Sequence, residues 1–394
     1  MNKTVLLFLF FTILWSCTNT PKQDIQDLTT EIKDIQKNYA PDKRVAWFQV
    51  SAEKSGSQYI LNGESNLPEA VETFKSKLDD KGISYIDSIT LLPHKNLDGL
   101  THGIITISVA NLRSKPKHSA ELSTQATLGT PVTILKKEGK WYWIQTPDGY
   151  LAWVDHGGLK PMLPNAFADW EQAKKIIYTS TYGHAYKTEN TNLIVSDMVA
   201  GAILKLIKET SQYFNVAYPD GRSAFIRKDE AELFDLWMEN LNPNEDQLVT
   251  TAQRLMGVPY LWGGTSAKGV DCSGFTKTIY FLNGIVLPRD ASQQVHAGIE
   301  VDTSKQFENL RKGDLLFFGR KATDTTKELV VHVGMWIGNN EFIHSSGQVK
   351  IGSMDPEADN YDSANKARYL RTNRYLNQLD SGFINLKEST VFKN

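Results

Sequence analysis

Three side chains in the last third of the chain have the chemistry of a nucleophilic active site. Cys272 follows an aspartate and precedes a Ser-Gly pair, and an amphipathic run begins directly after it. His332 and His344 come later, on either side of a Gly-Asn-Asn turn. A thiol that attacks a carbonyl needs a base to accept its proton and a second polar group to orient that base. The set predicts a Cys-His-His catalytic group.

The local pattern indicates how these residues are positioned. The run FTKTIYFLNG after Cys272 predicts a helix that ends at Gly284, so the thiol lies at the helix N-terminus. Unsatisfied backbone N–H groups and the helix dipole favour a thiolate there. The turn at 338–340 predicts a hairpin that carries His332 and His344 as directly opposite or diagonal neighbours. A helix that packs across this hairpin would align the thiol with both imidazoles.

Each residue also has a simpler interpretation. Cys272 is alternatively a buried inert cysteine, His332 between valines a core histidine, and His344 a polar residue at a strand end. A Cys-His-His metal site is a third alternative, but it lacks the close-pair spacing of structural zinc sites and a fourth ligand. We therefore expect no metal and no cofactor. The remaining histidines are assigned no role: His94, His102, His118, His156, His184 and His296.

Length and composition place limits on the class of protein. The 394 residues are enough for two to four domains, and apolar and charged fractions of 41% and 22% are ordinary for a globular chain. The formal net charge of -2 and the absence of a basic cluster argue against a nucleic-acid partner.

The N-terminus predicts export. Residues 1–16 have one lysine and a short apolar core, too short to span a bilayer but typical of a signal peptide. Leu14-Trp15-Ser16-Cys17 resembles a bacterial lipobox, which predicts lipidation of Cys17, an envelope location facing the periplasm, and membrane attachment through the lipid alone. Ordinary secretion and an unprocessed anchor are the alternatives. With Cys17 lipidated, Cys272 is the only remaining thiol and no intramolecular disulfide can form.

Several modules precede the predicted catalytic region. Residues 17–40 are interpreted as a tether with a short amphipathic helix, and residues 41–98 as a small α/β module with a β-α-β pattern. The middle of the chain repeats itself: Ile134-Leu135-Lys136 matches Ile203-Leu204-Lys205, and each copy contains a Pro-Asp-Gly turn. The repeats resemble bacterial SH3-like domains and predict two small barrels at 101–165 and 166–236.

Residues 242–380 run from helices to an antiparallel sheet, which predicts an α+β domain. One of its helix starts is Asp290, as an N-cap with Gln293 as its capping-box partner. The predicted fold class is therefore multidomain: an α+β catalytic domain preceded by two SH3-like barrels and a small α/β module.

The ordered motifs PYLWGG, DCSGF, HVGM and FIHSSG resemble those of the NlpC-type cell-wall peptidases. This resemblance implies a papain-like cysteine endopeptidase that acts on peptidoglycan peptides. With two preceding barrels, the chain is most similar to the γ-D-glutamyl-L-diamino-acid endopeptidases, also called dipeptidyl-peptidase VI. These cut after L-Ala-γ-D-Glu and need a free N-terminal L-Ala.

The resemblance also implies roles for single residues. Cys272 would be the nucleophile, His332 the general base and His344 the residue that orients the base. Tyr260 would help to stabilise the oxyanion together with the Cys272 backbone N–H. The resemblance implies five further substrate-binding residues: Asp271, Ser273, Glu121 from the first barrel, Tyr150 and Trp262. Asp271, Ser273 and Glu121 would lie near the substrate's amine.

The leading hypothesis is thus a recycling enzyme for released muropeptides. An endopeptidase that remodels intact peptidoglycan, with the barrels as wall-binding modules, and an inactive wall-binding lipoprotein are the alternatives. The sequence leaves open the identity of the diamino acid and the oligomeric state.

Overall fold

A computed structural model describes residues 28–190, 192–304, 306–378, 382–389 and 392. The predicted signal peptide and the predicted lipidation site Cys17 lie outside the described residues. No helix of the described part is both long and apolar enough to cross a membrane.

The N-terminal module is a three-stranded sheet covered by two helices. A tight hairpin pairs its first two strands, and the second helix connects the second strand to a parallel third strand. The predicted β-α-β unit is present, but a hairpin strand precedes it. The first helix packs into the same core through Ile35, so this module begins before residue 41, where the sequence interpretation had placed its start. The elements are α1 (Thr29–Tyr39), β1 (Phe48–Ser55), β2 (Gln58–Ser65), α2 (Pro68–Asp80) and β3 (Tyr85–Leu91).

The first barrel is a seven-stranded antiparallel sheet in the order β10-β4-β7-β8-β9-β5-β6. Alternating side chains of its strands, such as Leu112, Ile134 and Ile144, fill the interior. Its strands are β4 (His102–Ile105), β5 (Val109–Arg113), β6 (Leu122–Thr127), β7 (Pro131–Glu138), β8 (Trp141–Gln145), β9 (Leu151–Asp155) and β10 (Leu159–Met162), and α3 (Pro164–Glu171) follows.

The second barrel repeats this topology strand for strand, with the order β13-β12-β16-β15-β14-β11-β17. The matched Ile-Leu-Lys runs lie on β7 and β14, and each Pro-Asp-Gly turn joins the two strands that follow in its own barrel. The strands are β11 (Lys175–Tyr178), β12 (Tyr182–Tyr186), β13 (Ile194–Val199), β14 (Ile203–Glu209), β15 (Tyr213–Ala217), β16 (Ser223–Arg227) and β17 (Ala231–Leu233).

The C-terminal region has the predicted order, with helices first and a six-stranded antiparallel sheet, β21-β26-β22-β23-β24-β25, after them. Its central helix α6 packs on β23 and β24, with Phe275 and Ile279 against Val333 and Ile343. The elements are α4 (Phe234–Asn240), α5 (Glu245–Gln253), β18 (Thr265–Ser266), β19 (Gly269–Val270), α6 (Cys272–Phe281), β20 (Ile285–Val286), α7 (Ala291–Gln294), β21 (Ile299–Glu300), β22 (Leu315–Arg320), β23 (Leu329–Gly338), β24 (Glu341–Ser346), β25 (Gln348–Ser353), α8 (Ser363–Ala367), β26 (Tyr369–Arg374) and β27 (Ile384–Asn385).

Polar contacts join the first barrel to the C-terminal region. The Gln125 side chain accepts a hydrogen bond from the Thr265 backbone N–H at 3.0 Å. Asp148, in the Pro-Asp-Gly turn of the first barrel, forms a partly buried ion pair with Lys277 of α6 at 2.9 Å. These contacts fix one face of the barrel against the helix that begins with Cys272.

Candidate active site

Cys272 is the first residue of α6, as the sequence predicts. The Asp271 side chain caps the helix by accepting a hydrogen bond from the Gly274 backbone N–H at 2.7 Å. Gly274 is required by close approach, because a Cβ atom there would lie 1.9 Å from the Gly264 carbonyl oxygen. The glycine-rich loop before the helix therefore packs directly on its first turn and holds the thiol in a fixed position.

The electrostatic environment of the thiol differs from the sequence-based expectation. Burial raises the pKa of the Cys272 thiol to about 11, and the Asp271 carboxylate contributes to the increase. The Ser273 backbone N–H at the helix N-terminus and the Val333 backbone N–H on β23 act in the opposite direction, but they do not outweigh burial. Burial therefore outweighs the helix terminus that the sequence predicts to favour a thiolate, and the resting thiol is neutral near pH 7.

His332 and His344 form the predicted pair across the hairpin. Asn339 and Asn340 both have positive φ, at 53° and 59°, which is typical of the two-residue turn that connects tightly paired strands. The two imidazoles are diagonal rather than directly opposite, and Gly334 leaves space for His344. His332 Nε2 lies 2.8 Å from His344 Nδ1. This bond leaves Nδ1 of His332 as the nitrogen that can accept a proton from a thiol.

Both imidazoles are uncharged at neutral pH. Burial lowers the pKa of His332 to about 3, and the neighbouring His344 contributes. Burial likewise lowers the pKa of His344 to about 4, although the Asp362 carboxylate opposes this shift. A neutral imidazole is the form that can act as a general base.

Asp362 is a member of the site that sequence reasoning missed. For His332 to donate from Nε2, His344 must be unprotonated at Nδ1 and carry its proton on Nε2. Among the described groups, His344 Nε2 has no hydrogen-bond partner, and it lies 3.8 Å from Asp362 Oδ2. Asp362 is also the N-cap of α8, where it accepts a hydrogen bond from the Asn365 backbone N–H at 3.0 Å. No local sequence signal connected this loop to the histidines.

Tyr260 lines the same cavity as Cys272. Burial raises the pKa of its phenol to about 12, and the nearby Cys272 and Asp271 add to the shift. The hydroxyl is thus protonated at neutral pH and can donate a hydrogen bond. Its role as an oxyanion donor stays a prediction.

Asp271 and Ser273 also reach the cavity, but their polar groups are already engaged. The Asp271 carboxylate forms a two-point ion pair with the buried Arg289 guanidinium, at 3.1 and 2.6 Å. Ser273 Oγ accepts a hydrogen bond from Arg289 at 3.1 Å. The charge of Asp271 is therefore offset within the protein, and its contact with the substrate's ammonium stays a prediction. Arg289 was missed because its partner lies 18 residues away.

The first barrel contributes Glu121 to the cavity, as the resemblance implies. The Glu121 carboxylate accepts a hydrogen bond from Trp262 Nε1 at 2.8 Å, and the Trp262 side chain is exposed. Among the described residues, no cation forms an ion pair with Glu121. This carboxylate remains available to a positively charged ligand.

Tyr150 lies in the same wall, and its hydroxyl donates a hydrogen bond to Asp290 Oδ2 at 3.2 Å. Asp290 begins α7 with the predicted capping box, in which the Gln293 side chain accepts a hydrogen bond from the Asp290 backbone N–H at 3.0 Å. Arg44 of the N-terminal module forms an ion pair with Asp290 at 2.6 Å. No local pattern in the sequence indicates that Arg44 reaches the site. Three modules therefore line one cavity of about 480 Å³ around Cys272.

Among the described residues, no three His, Cys, Asp or Glu side chains are grouped so that they could hold a metal ion. The Cys272 and imidazole groups are instead arranged for acyl transfer. The thiol lies on α6, the two imidazoles lie on β23 and β24 that pack against this helix, and the Tyr260 phenol lines the same cavity as the thiol.

Comparisons with known proteins agree with this geometry. Residues 257–373 match the model of the NlpC/P60 family, and residues 112–159 match the bacterial dipeptidyl-peptidase Sh3 domain. The first match contains Cys272 and both histidines, and the second contains Tyr150.

Similar proteins extend the likeness over more of the chain. A protein named gamma-D-glutamyl-L-lysine dipeptidyl-peptidase from Bacillus cereus is 34% identical over 242 residues, which cover 57% of this chain and 67% of the relative. One of the same name from Bacillus subtilis is 28% identical over 232 residues, with 57% and 72% covered. A crystal structure of an NlpC/P60 family protein from Bacillus cereus has a TM-score of 0.61 at 28% identity and covers 70% of this chain and 99% of that one.

The fold and the site define a cysteine peptidase with accessory SH3-like domains. The chain belongs to the NlpC/P60 family.

Proposed function

We propose that this enzyme hydrolyses the bond between γ-D-glutamate and an L-diamino acid in peptidoglycan stem peptides that have a free N-terminal L-Ala. The observation that carries the proposal is the mixed origin of the cavity. Cys272 lines it, and Glu121 and Tyr150 of the first barrel, together with Asp290, form its polar wall. This wall suits the ammonium group of a short peptide.

The charges of the cavity support binding of a cation. Asp271 is paired with Arg289 and Asp290 with Arg44, whereas Glu121 accepts only a neutral indole N–H among its described contacts. A carboxylate that accepts a charge-assisted hydrogen bond from an ammonium contributes more than a neutral acceptor would. Glu121 is therefore the main proposed ligand for the amine, and Asp271, which the resemblance pairs with it, is proposed as a second ligand whose charge is partly offset by Arg289.

The reaction follows from the order of the groups. His332 Nδ1 accepts the proton of the Cys272 thiol while the sulfur attacks the γ-carbonyl carbon. The Cys272 backbone N–H and the Tyr260 hydroxyl would donate hydrogen bonds to the oxyanion. Return of the proton from His332 to the nitrogen releases the diamino acid, and water then hydrolyses the thioester to free the dipeptide.

The neutral resting pair sets the role of His344. A proton on His332 is costly in a buried site, so the imidazolium forms only as the thiol attacks and needs support at that moment. His344 Nδ1, 2.8 Å from His332 Nε2, can accept a hydrogen bond from the His332 Nε2–H group and fix the His332 ring in the productive orientation.

Defined peptides test the proposal. Wild-type enzyme is expected to release L-Ala-γ-D-Glu from tripeptides that end in L-lysine or meso-diaminopimelate, as followed by mass spectrometry. The same peptides with an acetylated amine should not be cleaved, and Cys272→Ala should cleave neither. Turnover of the acetylated peptide at a comparable rate would exclude the free-amine requirement.

Intact sacculi distinguish recycling from wall remodelling. A cleft closed by the first barrel is expected to reject stem peptides whose L-Ala is still bound to glycan. Release of soluble peptides from sacculi by wild-type enzyme, but not by Cys272→Ala, would favour remodelling instead.

A further inference from the structure

Arg44 lies between two cavities. One is the cavity of about 480 Å³ that contains Cys272. The other has a volume of about 1210 Å³ and is lined mainly by the N-terminal module and the start of α7. Arg44 and Ser292 line both. The Arg44 side chain therefore acts as part of the partition between the catalytic cleft and a second space.

The guanidinium is held on both sides. On one side it donates to Asp290 Oδ2 at 2.6 Å and to Ser292 Oγ at 3.0 Å. On the other it donates to the Asp42 carboxylate, at 2.8 Å from Nε and 2.7 Å from the other terminal nitrogen. Gln293 donates to the same Asp42 carboxylate at 2.7 Å. These hydrogen bonds hold the planar guanidinium at several points, so the Arg44 side chain has a fixed position between the two cavities.

The backbone at Arg44 is also fixed. Its carbonyl oxygen accepts a hydrogen bond from the Leu151 backbone N–H at 2.7 Å, next to Tyr150. The Gln145 side chain donates to the Val45 carbonyl oxygen at 3.1 Å. The N-terminal module thus reaches the cleft through a segment that the first barrel supports.

We infer that Arg44 is a specificity-determining residue that closes the amine end of the cleft, so that peptides extended beyond the N-terminal residue are excluded. The inference rests on the proposed function. Its physical reason is that Arg44 is bonded to Asp290, on the polar wall proposed for the amine, and the space beyond it is large. With the side chain removed, the two cavities would join, and an N-terminal extension could pass from one to the other.

Neither family match includes this segment, since the matched residues are 257–373 and 112–159. The N-terminal module, for which the sequence suggested no chemistry, would in this view add a second barrier to the one that the first barrel provides.

The test uses the full-length chain with Arg44→Ala. Two peptides are compared: L-Ala-γ-D-Glu-L-Lys and the same peptide with one glycine added at its N-terminus. The ratio of kcat/KM for the extended peptide to that for the parent is expected to rise by about tenfold or more, because the extension gains access to the second cavity.

Lys136→Met is the matched control. Lys136 of the first barrel forms an ion pair with Glu64 of the N-terminal module at 2.6 Å and lines neither cavity. This variant should lose a similar ion pair yet keep the wild-type ratio. Thermal unfolding of each variant shows whether the module remains folded.

A second variant covers the case in which Arg44→Ala does not fold. Arg44→Lys keeps a positive charge for Asp290 but replaces the planar fork with a smaller ammonium, and it should raise the ratio by about threefold.

The outcomes separate the two claims. An unchanged ratio in folded Arg44→Ala, or an equal rise in Lys136→Met, would overturn the inference while leaving the proposed function intact. Cleavage of the extended peptide by wild-type enzyme as fast as the parent would instead contradict the free-amine requirement itself.

Discussion

The two ends of the catalytic cleft are built on opposite principles. The chemical end belongs to the C-terminal domain alone, and its thiol and imidazoles are buried and uncharged at neutral pH. The amine end is assembled from three modules and contains Glu121, Asp290 and Arg44 as charged groups. If the proposed function is correct, reactivity is produced by one packed domain, whereas selectivity depends on how the accessory modules are placed.

This difference gives an expectation for every variant. A change at the chemical end should lower turnover of all substrates alike. A change at the amine end should alter the discrimination between peptides and leave the chemical step nearly unchanged.

The largest effect is expected for His332→Ala. Loss of the base that accepts the thiol proton should lower kcat by about 10⁴-fold or more, with little change in KM, because members of a catalytic group act as a unit. Steady-state kinetics with free-amine peptides measures this. If kcat fell by less than tenfold, another group would have to be the base.

The pH dependence of alkylation tests the neutral thiol. In a Cys17→Ser background, Cys272 is the only thiol of the chain. Since burial raises the pKa of Cys272 to about 11, its thiolate fraction should rise about tenfold per pH unit below that value, and iodoacetamide labelling should accelerate about 100-fold from pH 7 to pH 9. Cys272→Ala provides the blank. A labelling rate that is already constant from pH 6 would instead show a thiolate paired with a charged imidazole.

Glu121→Gln addresses the amine end. Removal of the negative charge should lower kcat/KM for free-amine peptides by about 10- to 100-fold, mostly through KM, because one charge-assisted hydrogen bond is lost. The matched control is Glu189→Gln in the second barrel, where the carboxylate accepts a hydrogen bond from Thr210 at 3.2 Å and lines none of the site. Equal losses in both variants, or a loss of kcat alone, would contradict a role in amine binding.

The same contrast explains what could be predicted from the sequence. The helix that starts at Cys272, the Gly-Asn-Asn hairpin and the capping box at Asp290 depend on signals within a few residues, and all three are present in the structure. The two histidines could be paired because a tight turn fixes the register of its strands.

The remaining features depend on contacts between distant segments. The Arg44–Asp290 pair joins residues 246 apart, and neither partner is unusual in its local sequence. The helix dipole at Cys272 was a correct local signal, but the burial that outweighs it arises from tertiary packing. The effect of burial on the pKa of Cys272 cannot be predicted from a local sequence pattern.

The two repeated barrels show what a sequence repeat can and cannot predict. The topology is the same in both, and the repeat was visible in the sequence. Glu121 directly precedes β6, however, while Leu193 directly precedes the equivalent strand β13. Tyr150 precedes β9, and Arg222 precedes β16. The repeat therefore predicts architecture. Both barrels contact the catalytic domain, the second through an ion pair between Asp197 and Lys268 at 2.5 Å, but among the described residues only those of the first barrel line the cavity around Cys272.

The smallest effect is expected for Asp362→Asn, which changes the carboxylate beside His344. Asp362→Asn should keep the N-cap of α8, because asparagine is as good an N-cap as aspartate, while it removes the negative charge 3.8 Å from His344 Nε2. The carboxylate raises the pKa of His344 against burial, so its loss should lower that pKa further and give less support to the positive charge that forms on the histidines during attack.

We expect kcat to fall by about threefold to tenfold, with KM and the discrimination between free and extended peptides unchanged. The control is Asp359→Asn at an exposed position of the same loop, which should have no effect. A change in discrimination rather than in kcat would mean that Asp362 acts on the amine end, and the separation of the two ends would then be wrong.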